Sequence, residues 1–80
     1  MEQLATFHTH FGALTFQNRL RSAGDQPVMA PVPRVLSASC GVCVHFALPF
    51  DADTMADEDL DAVYSTDDGG YHLLFQNGED

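Results

Sequence analysis

The sequence Val42-Cys-Val-His-Phe-Ala-Leu48 decides the fold, because large apolar residues alternate along it with small or polar ones. A period of two is typical of a half-buried strand. We expect one set of side chains to face the core: Val42, Val44, Phe46 and Leu48. The opposite face would carry Cys43, His45 and Ala47.

Three regular segments precede this strand. Residues 4–9 have the pattern of a first strand, and residues 11–23 are predicted to form a helix that Thr9 or His10 caps. Gly24 follows where a left-handed residue commonly ends a helix. The apolar stripe of this helix consists of Ala13, Phe16, Leu20 and Ala23. Residues 27–33 contain three prolines, which are poorly tolerated in a central strand and therefore predict an edge strand.

Two more segments follow the decisive strand. Asp51 or Asp53 is a suitable cap for a second helix, because either side chain can accept backbone N–H bonds. Residues 71–76 are predicted to form the last strand, after the chain breaks at residues 67–70. The inward stripe of the second helix would be Ala52, Ala56, Leu60, Val63 and Tyr64.

The predicted order of elements is therefore βαββαβ within one domain over residues 1–80. Two β-α-β units with right-handed crossovers form an α+β, ferredoxin-like sandwich. Its four-stranded antiparallel sheet has the order 4-1-3-2, with both helices on one face. This topology brings the loop between strands 2 and 3 to the junction of strand 1 and helix 1. Cys40 is then expected near His8, His10 and the first amides of that helix.

Composition restricts the function. The net charge is −9 at pH 7 without a single lysine, which argues against binding nucleic acid. Eight of the twelve acidic residues lie between Asp51 and Asp68, where they form either a solvated surface or a docking site for a basic protein. We see no signal segment and no apolar run of about 20 residues, so we expect a soluble, cytoplasmic protein without contact with a membrane. Nothing in the sequence indicates a cofactor.

The segment of residues 31–43 concentrates the reactive chemistry, since it holds both cysteines and one of only three cations. A thiolate is favoured by a nearby guanidinium or by converging backbone N–H groups. Arg34 and the small-residue turn around Ser39 and Gly41 would supply both to Cys40. Cys43 would then act as a resolving thiol or simply occupy a position on the sheet.

Several short motifs in and before this segment belong together: Thr6-Phe7-His8-Thr9, Ala13-Leu14 with Leu20 and Gly24, Pro31-Val-Pro-Arg34, Leu36-Ser37 and Ser39-Cys40-Gly41. With these motifs the chain resembles the family of selenium/sulfur carrier-like proteins over about residues 3–76. The resemblance implies that Cys40 carries sulfur or selenium with Arg34 beside it, and that the partners are a donor such as a cysteine desulfurase and an acceptor protein. Any enzymatic activity would be at most sulfurtransferase-like.

Other functions are compatible with these residues. Cys40-x-x-Cys43 has a spacing found in zinc sites, and His8 and His45, or His72, would complete a metal site on the uncovered sheet face. A thioredoxin-like dithiol is less compatible, because its motif should open a helix. An interaction module is a further alternative, as is a homodimer formed through Leu4 and Leu74 if both point outward.

Each reactive residue also has a purely structural interpretation. Cys40 would be a small buried residue in a turn, and Arg34 would pair with an acidic neighbour at the surface. Ser37 and Ser39 would be turn formers. His8 would be a strand-end residue, and His10 a helix cap.

Overall fold

The computed structural model describes residues 2–36, 41–66 and 69–77. Along this part of the chain, five strands and two helices follow one another. They are β1 (Gln3–Phe7), α1 (His10–Ser22), β2 (Val28–Pro31), β3 (Val42–Phe46), α2 (Ala52–Met55), β4 (Leu60–Ser65) and β5 (His72–Gln76). None of the described helices has the length and apolar character needed to cross a membrane.

All five strands belong to one sheet of order β2-β3-β1-β4-β5, in which every neighbouring pair is antiparallel. The α+β class is confirmed, but the sheet has five strands rather than four. The predicted order of strands 1, 3 and 2 is present, but residues 60–65 rather than the predicted fourth strand pair with β1, so the four-stranded ferredoxin-like arrangement is wrong on this side of the sheet. The segment predicted as the fourth strand is β5, which extends the sheet beyond β4, and β2 lies at the opposite edge as its prolines predicted.

Helix α1 begins and ends at the predicted signals. Thr9 is the N-cap, and its Oγ1 accepts a hydrogen bond of 3.0 Å from the amide of Gly12. Gly24 has a φ of +97°, and the amides of Gly24 and Asp25 donate to the carbonyls of Arg21 and Leu20. This pattern is a Schellman motif. It requires a residue that adopts positive φ without strain, as glycine does.

The core lies between α1 and one face of the sheet, here called the helix face. Phe16 of α1 packs between Phe7 and Phe46, with ring centroids 5.1 and 5.3 Å apart. Val44 and Phe46 are buried in this core as predicted. The buried cluster consists of Ala5, Phe7, Ala13, Phe16, Leu20, Val44, Phe46, Leu60 and Val63.

The second helix was predicted wrongly. Asp51 caps it as expected, with Oδ1 3.1 Å from the amide of Asp53, but α2 makes a single turn and residues 60–65 form β4. The pairing of β4 is irregular on both sides, at Thr6/Phe7 and at Val63/Tyr64. Opposite Thr6/Phe7 the extra residue is Asp61 of β4, which breaks the period of two and leaves the buried Leu60 and Val63 three residues apart, as in a helix.

The opposite side of the sheet, here called the second face, carries Leu4, Thr6, Cys43, His45, Ala62 and Tyr64. The register of β1 with β3 and β4 pairs these side chains. Leu4 and Cys43 are on the predicted side of the sheet, yet both have 0% exposure. The predicted homodimer surface required both Leu4 and Leu74 to point outward. Leu74 is exposed but Leu4 is buried, so this requirement is not met.

Candidate functional site

The loop between β2 and β3 starts and ends beside the junction of β1 and α1. Thr6, one residue before the end of β1, pairs with Cys43, and the amide of Val32 donates to the carbonyl of Gly41 at 3.1 Å. The shared end of these elements is therefore confirmed. Ser39 and Cys40 lie outside the described residues, so their position near His8 and His10 stays a prediction.

Both described ends of this loop are accessible. Arg34 is exposed and lies in a turn that a hydrogen bond of 3.0 Å from the amide of Leu36 to the carbonyl of Pro33 closes. Gly41 is exposed with a φ of +76°, and a Cβ there would meet nothing within 4 Å. Backbone conformation rather than lack of space thus explains the glycine beside Cys40.

Cys43 lies inside the molecule, on the second face. Its Sγ is 3.6 Å from the carbonyl oxygen of Pro31 on the neighbouring strand and 3.8 Å from Nε2 of His45 on its own strand. The two side chains meet because residues two apart on a strand point to the same side.

His45 also contacts a carboxylate. Oε2 of Glu2 lies 2.9 Å from Nδ1, although no aligned hydrogen bond from a described residue reaches that nitrogen. The Glu2 side chain is 58% exposed, so a rotation would align its carboxylate with Nδ1. Glu2, just before β1, thus continues the contact between His45 and Cys43 of β3.

A second histidine on this face has a carboxylate of its own. Nε2 of His8 is 3.9 Å from Oδ1 of Asp61, whose Oδ2 lies 3.3 Å from the hydroxyl of Thr6. Sequence reasoning missed Glu2 and Asp61. The register of β1 against β3 and β4 places them here. The alternation of residues within one strand does not reveal that register.

The zinc hypothesis receives no support from this arrangement. Within residues 2–36, 41–66 and 69–77, no group of three or more His, Cys, Asp or Glu side chains is placed to hold a metal ion. His8 and His45 contact different carboxylates, and His72 is on β5, separated from β3 by two strands. A site that includes Cys40 stays a prediction.

A known protein family matches the part of the chain that contains the candidate site. Residues 2–57 match the model of the family described as "Putative Se/S carrier protein-like". The chain belongs to this family. The Se/S carrier-like match includes β1 to α2 and the whole cysteine segment, but it ends before β4 and is shorter than the expected 3–76. No curated protein and no solved structure was found to match the chain.

Proposed function

We propose that this protein carries sulfane sulfur or selenium on Cys40, as a persulfide or selenosulfide, between a donor and an acceptor protein in the cytoplasm. The observation that carries the proposal is the family match, which includes both cysteines and Arg34. A carrier needs an accessible thiolate that attacks a sulfane atom and releases it again. These requirements are accessibility, loading and release.

Burial argues against Cys43 as the carrier residue. Cys43 has 0% exposure, whereas Arg34 and Gly41, on either side of Cys40 in the sequence, are exposed. A donor protein that presents a persulfide must bring its own cysteine into contact with the attacking sulfur. A thiol buried in a strand does not offer that approach.

Loading is a thiol exchange without net oxidation. The Cys40 thiolate attacks the terminal sulfur of a donor Cys–S–SH, a new sulfur–sulfur bond forms, and the donor leaves as a thiolate. A free thiol titrates near ~8.5, and a neighbouring cation lowers that value. Arg34 would provide this cation and could also orient the donor.

Release transfers the atom to an acceptor in one of two ways. An acceptor thiolate attacks the terminal sulfur and regenerates Cys40, or Cys43 attacks Cys40 and expels the carried atom as sulfide or selenide. The second route leaves a disulfide, which a dithiol reductant must reduce before the next cycle.

Intact-mass spectrometry tests the carrier proposal directly. After incubation with a cysteine desulfurase and cysteine, without reductant, the wild type should gain the mass of one or more sulfur atoms. Cys40→Ser should gain none, while Cys43→Ser should still load and accumulate at least as much. If Cys40→Ser loads like the wild type, Cys40 is not the carrier residue.

A further inference from the structure

We propose that the free edge of β5 binds an extended, positively charged segment of a partner protein, which adds to the sheet as a further strand. β5 is the last strand at one side of the sheet, and in the part of the chain that the structure describes only β4 pairs with it. The inference concerns the binding of a protein rather than sulfur transfer. It therefore goes beyond the proposed carrier function, and its test does not require Cys40 to load.

The backbone of β5 presents hydrogen-bonding groups to this edge. The amide of Asn77 donates to the carbonyl of Asp61 at 2.9 Å, so the backbone of Asn77 faces β4. Along an antiparallel strand, successive residues direct their N–H and C=O groups alternately toward the partner strand and away from it. The N–H and C=O of Gln76, which is paired with Ala62, therefore point away from β4, where an added strand would meet them.

The two edges of the sheet differ in their protection against such an addition. At the opposite edge, β2 ends at Pro31 and follows Pro27, and proline has no N–H to donate to an added strand. The sequence of β5, His72-Leu-Leu-Phe-Gln76, contains neither proline nor Asp, Glu, Lys or Arg. Its pairing is interrupted at Leu74, but the interruption exposes an apolar side chain rather than a charge. The edge at β5 is therefore the one that accepts a strand.

Apolar side chains beside this edge would bury part of the added segment. Leu73 and Leu74 are 54% and 51% exposed. Leu74 also lines a pocket of about 410 Å³ together with Pro49 and Phe50. The ring of Phe50 packs against Phe75, with centroids 5.1 Å apart, so this pocket adjoins β5. In strand addition, backbone hydrogen bonds give affinity and such pockets select the side chains of the incoming segment.

Acidic residues lie at one end of β5. The side-chain amide of Asn77 donates to the carbonyls of Asp57 and Leu60, at 2.9 Å each, and so attaches this acidic turn to the strand. The carboxylate of Asp57 lies 3.8 Å from Arg19. Glu58 beside it is exposed and has no ion pair with any described residue. A basic residue at the corresponding end of the added segment would therefore meet an uncompensated negative charge.

The charge of the whole protein also favours a basic partner over a second copy. The net charge is −9, and eight of the twelve acidic residues lie within residues 51–68. Two copies that joined at β5 would bring these like charges together, which costs free energy. A partner segment with arginine or lysine at its ends is instead attracted to the same surface.

A designed peptide tests this binding. The probe is a fluorescently labelled peptide of about ten residues, in which alternating valine and threonine lie between two arginines at each end. Its binding to the full chain is followed by fluorescence anisotropy and should be saturable. The same peptide with N-methyl groups on its valines and threonines keeps its charge but cannot donate to β5, and should bind about tenfold more weakly or worse.

A peptide with glutamate in place of arginine should also lose about tenfold in affinity, because it is repelled by the acidic turn. Absence of binding by the arginine peptide would overturn the proposal. Equal binding by the N-methylated peptide would overturn strand addition, and equal binding by the glutamate peptide would overturn the basic partner.

Variants of the two edges locate the binding surface. Gln76→Pro removes the N–H that points away from β4, and edge strands tolerate proline at such a position. Its melting temperature should stay close to that of the wild type, while its affinity for the arginine peptide should fall about tenfold or more. Gln76→Thr keeps the N–H and should bind like the wild type. An unchanged affinity of Gln76→Pro would contradict the proposal.

Side-chain variants provide a second comparison if Gln76→Pro does not fold. Leu74→Ser should weaken peptide binding several-fold, because the pocket beside β5 loses an apolar wall. Val28→Ser, the matched change at an exposed apolar residue of the opposite edge, should leave binding unchanged. Equal effects of the two variants would overturn the assignment to β5.

Sedimentation velocity distinguishes a partner from a second copy. Without peptide, the wild type should be a monomer at the concentrations used for binding. A dimer that Gln76→Pro converts into a monomer would show that a second copy occupies the edge, and the basic partner would then be wrong. Because no step involves sulfur, a protein that binds the peptide but does not load would contradict only the carrier function.

Discussion

Gly12 of α1 and Asp59 before β4 are so close that a methyl group on Gly12 would lie 2.5 Å from Cβ of Asp59. The segment cannot easily move away, because the carbonyl of Asp59 accepts a hydrogen bond of 2.8 Å from the amide of His8. Gly12→Ala should therefore destabilise the protein, with overpacking of about 1–3 kcal/mol partly offset by about 1 kcal/mol of helix propensity. Urea unfolding measures the difference.

Asn18→Ala, an exposed change in the same helix, is the control for Gly12→Ala and should be nearly neutral. Combining Gly12→Ala with Asp59→Gly should cost less than the sum of the two single changes, because the double variant lacks the clashing Cβ. Strict additivity would mean that this close approach does not constrain the fold.

Phe46→Ala should cost about 3–5 kcal/mol of unfolding free energy. Phe46 is 2% exposed and packs edge-on against Phe16, so its removal leaves a cavity between α1 and β3. Phe11→Ala is the matched control, since Phe11 on the same helix as Phe16 is 73% exposed and should change stability by less than about 0.5 kcal/mol. Similar losses for both variants would contradict the described core.

Asp25 should make stability depend on acid pH. Partial burial raises the pKa of its carboxyl, but hydrogen bonds from the amides of Leu48, Ala47 and Gln26 outweigh this effect and hold the pKa below 3.8. Because the folded pKa is the lower one, the stabilisation is present above about 3.8 and is lost as the pH falls through the folded value.

Asp25→Asn should accordingly cost about 1 kcal/mol at neutral pH, a modest value because solvent screens a partly exposed carboxylate. The difference from the wild type should shrink as the pH falls below the ordinary range of a carboxyl. Urea unfolding at a series of pH values measures it, with the exposed Glu58→Gln as control. A difference that is independent of pH would show that the charge of Asp25 is not involved.

Arg34→Ala should raise the pH midpoint at which Cys40 is alkylated, by about one pH unit or less, because a cation near a thiolate favours the charged form. The Cys43→Ser background leaves one thiol to follow. Arg21→Ala removes another exposed cation, from the end of α1, and should leave the midpoint where it was. If both variants behave alike, Arg34 acts only at the surface or in docking a partner.

Chelation with EDTA should leave the far-UV circular dichroism and the melting temperature nearly unchanged, because apolar packing between α1 and the sheet supplies the core. Zinc-dependent domains lose their fold when the metal is removed. A large cooperative loss of structure would place the zinc hypothesis above the carrier hypothesis.

Local signals predicted most of the fold. The alternation around Val44, the cap at Thr9 and the glycine at Gly24 each depend on neighbouring residues alone, and each was predicted correctly. Residues 60–65 were predicted wrongly, because one irregularity in the pairing of β4 with β1 displaces the buried side chains of β4 from strict alternation. Such an irregularity depends on the partner strand, so the sequence of one strand hardly reveals it.

The candidate site, too, was predicted only in part. The topology placed the β2–β3 loop beside the end of β1, as the register of Thr6 with Cys43 confirms. The pairing of Glu2 with His45 was beyond sequence reasoning, since it requires the offset between two strands separated by more than thirty residues in the chain.

Strand order has a consequence for synthesis of the chain. All five residues of β1 are buried, and β1 lies between β3 and β4. Until Leu60–Ser65 has left the ribosome, one side of β1 therefore has unpaired backbone groups next to apolar side chains. Such an edge readily pairs with another nascent chain and starts aggregation. The β4–β5 hairpin, which lies beyond the family match, closes this edge and so acts as a built-in protection against misassembly.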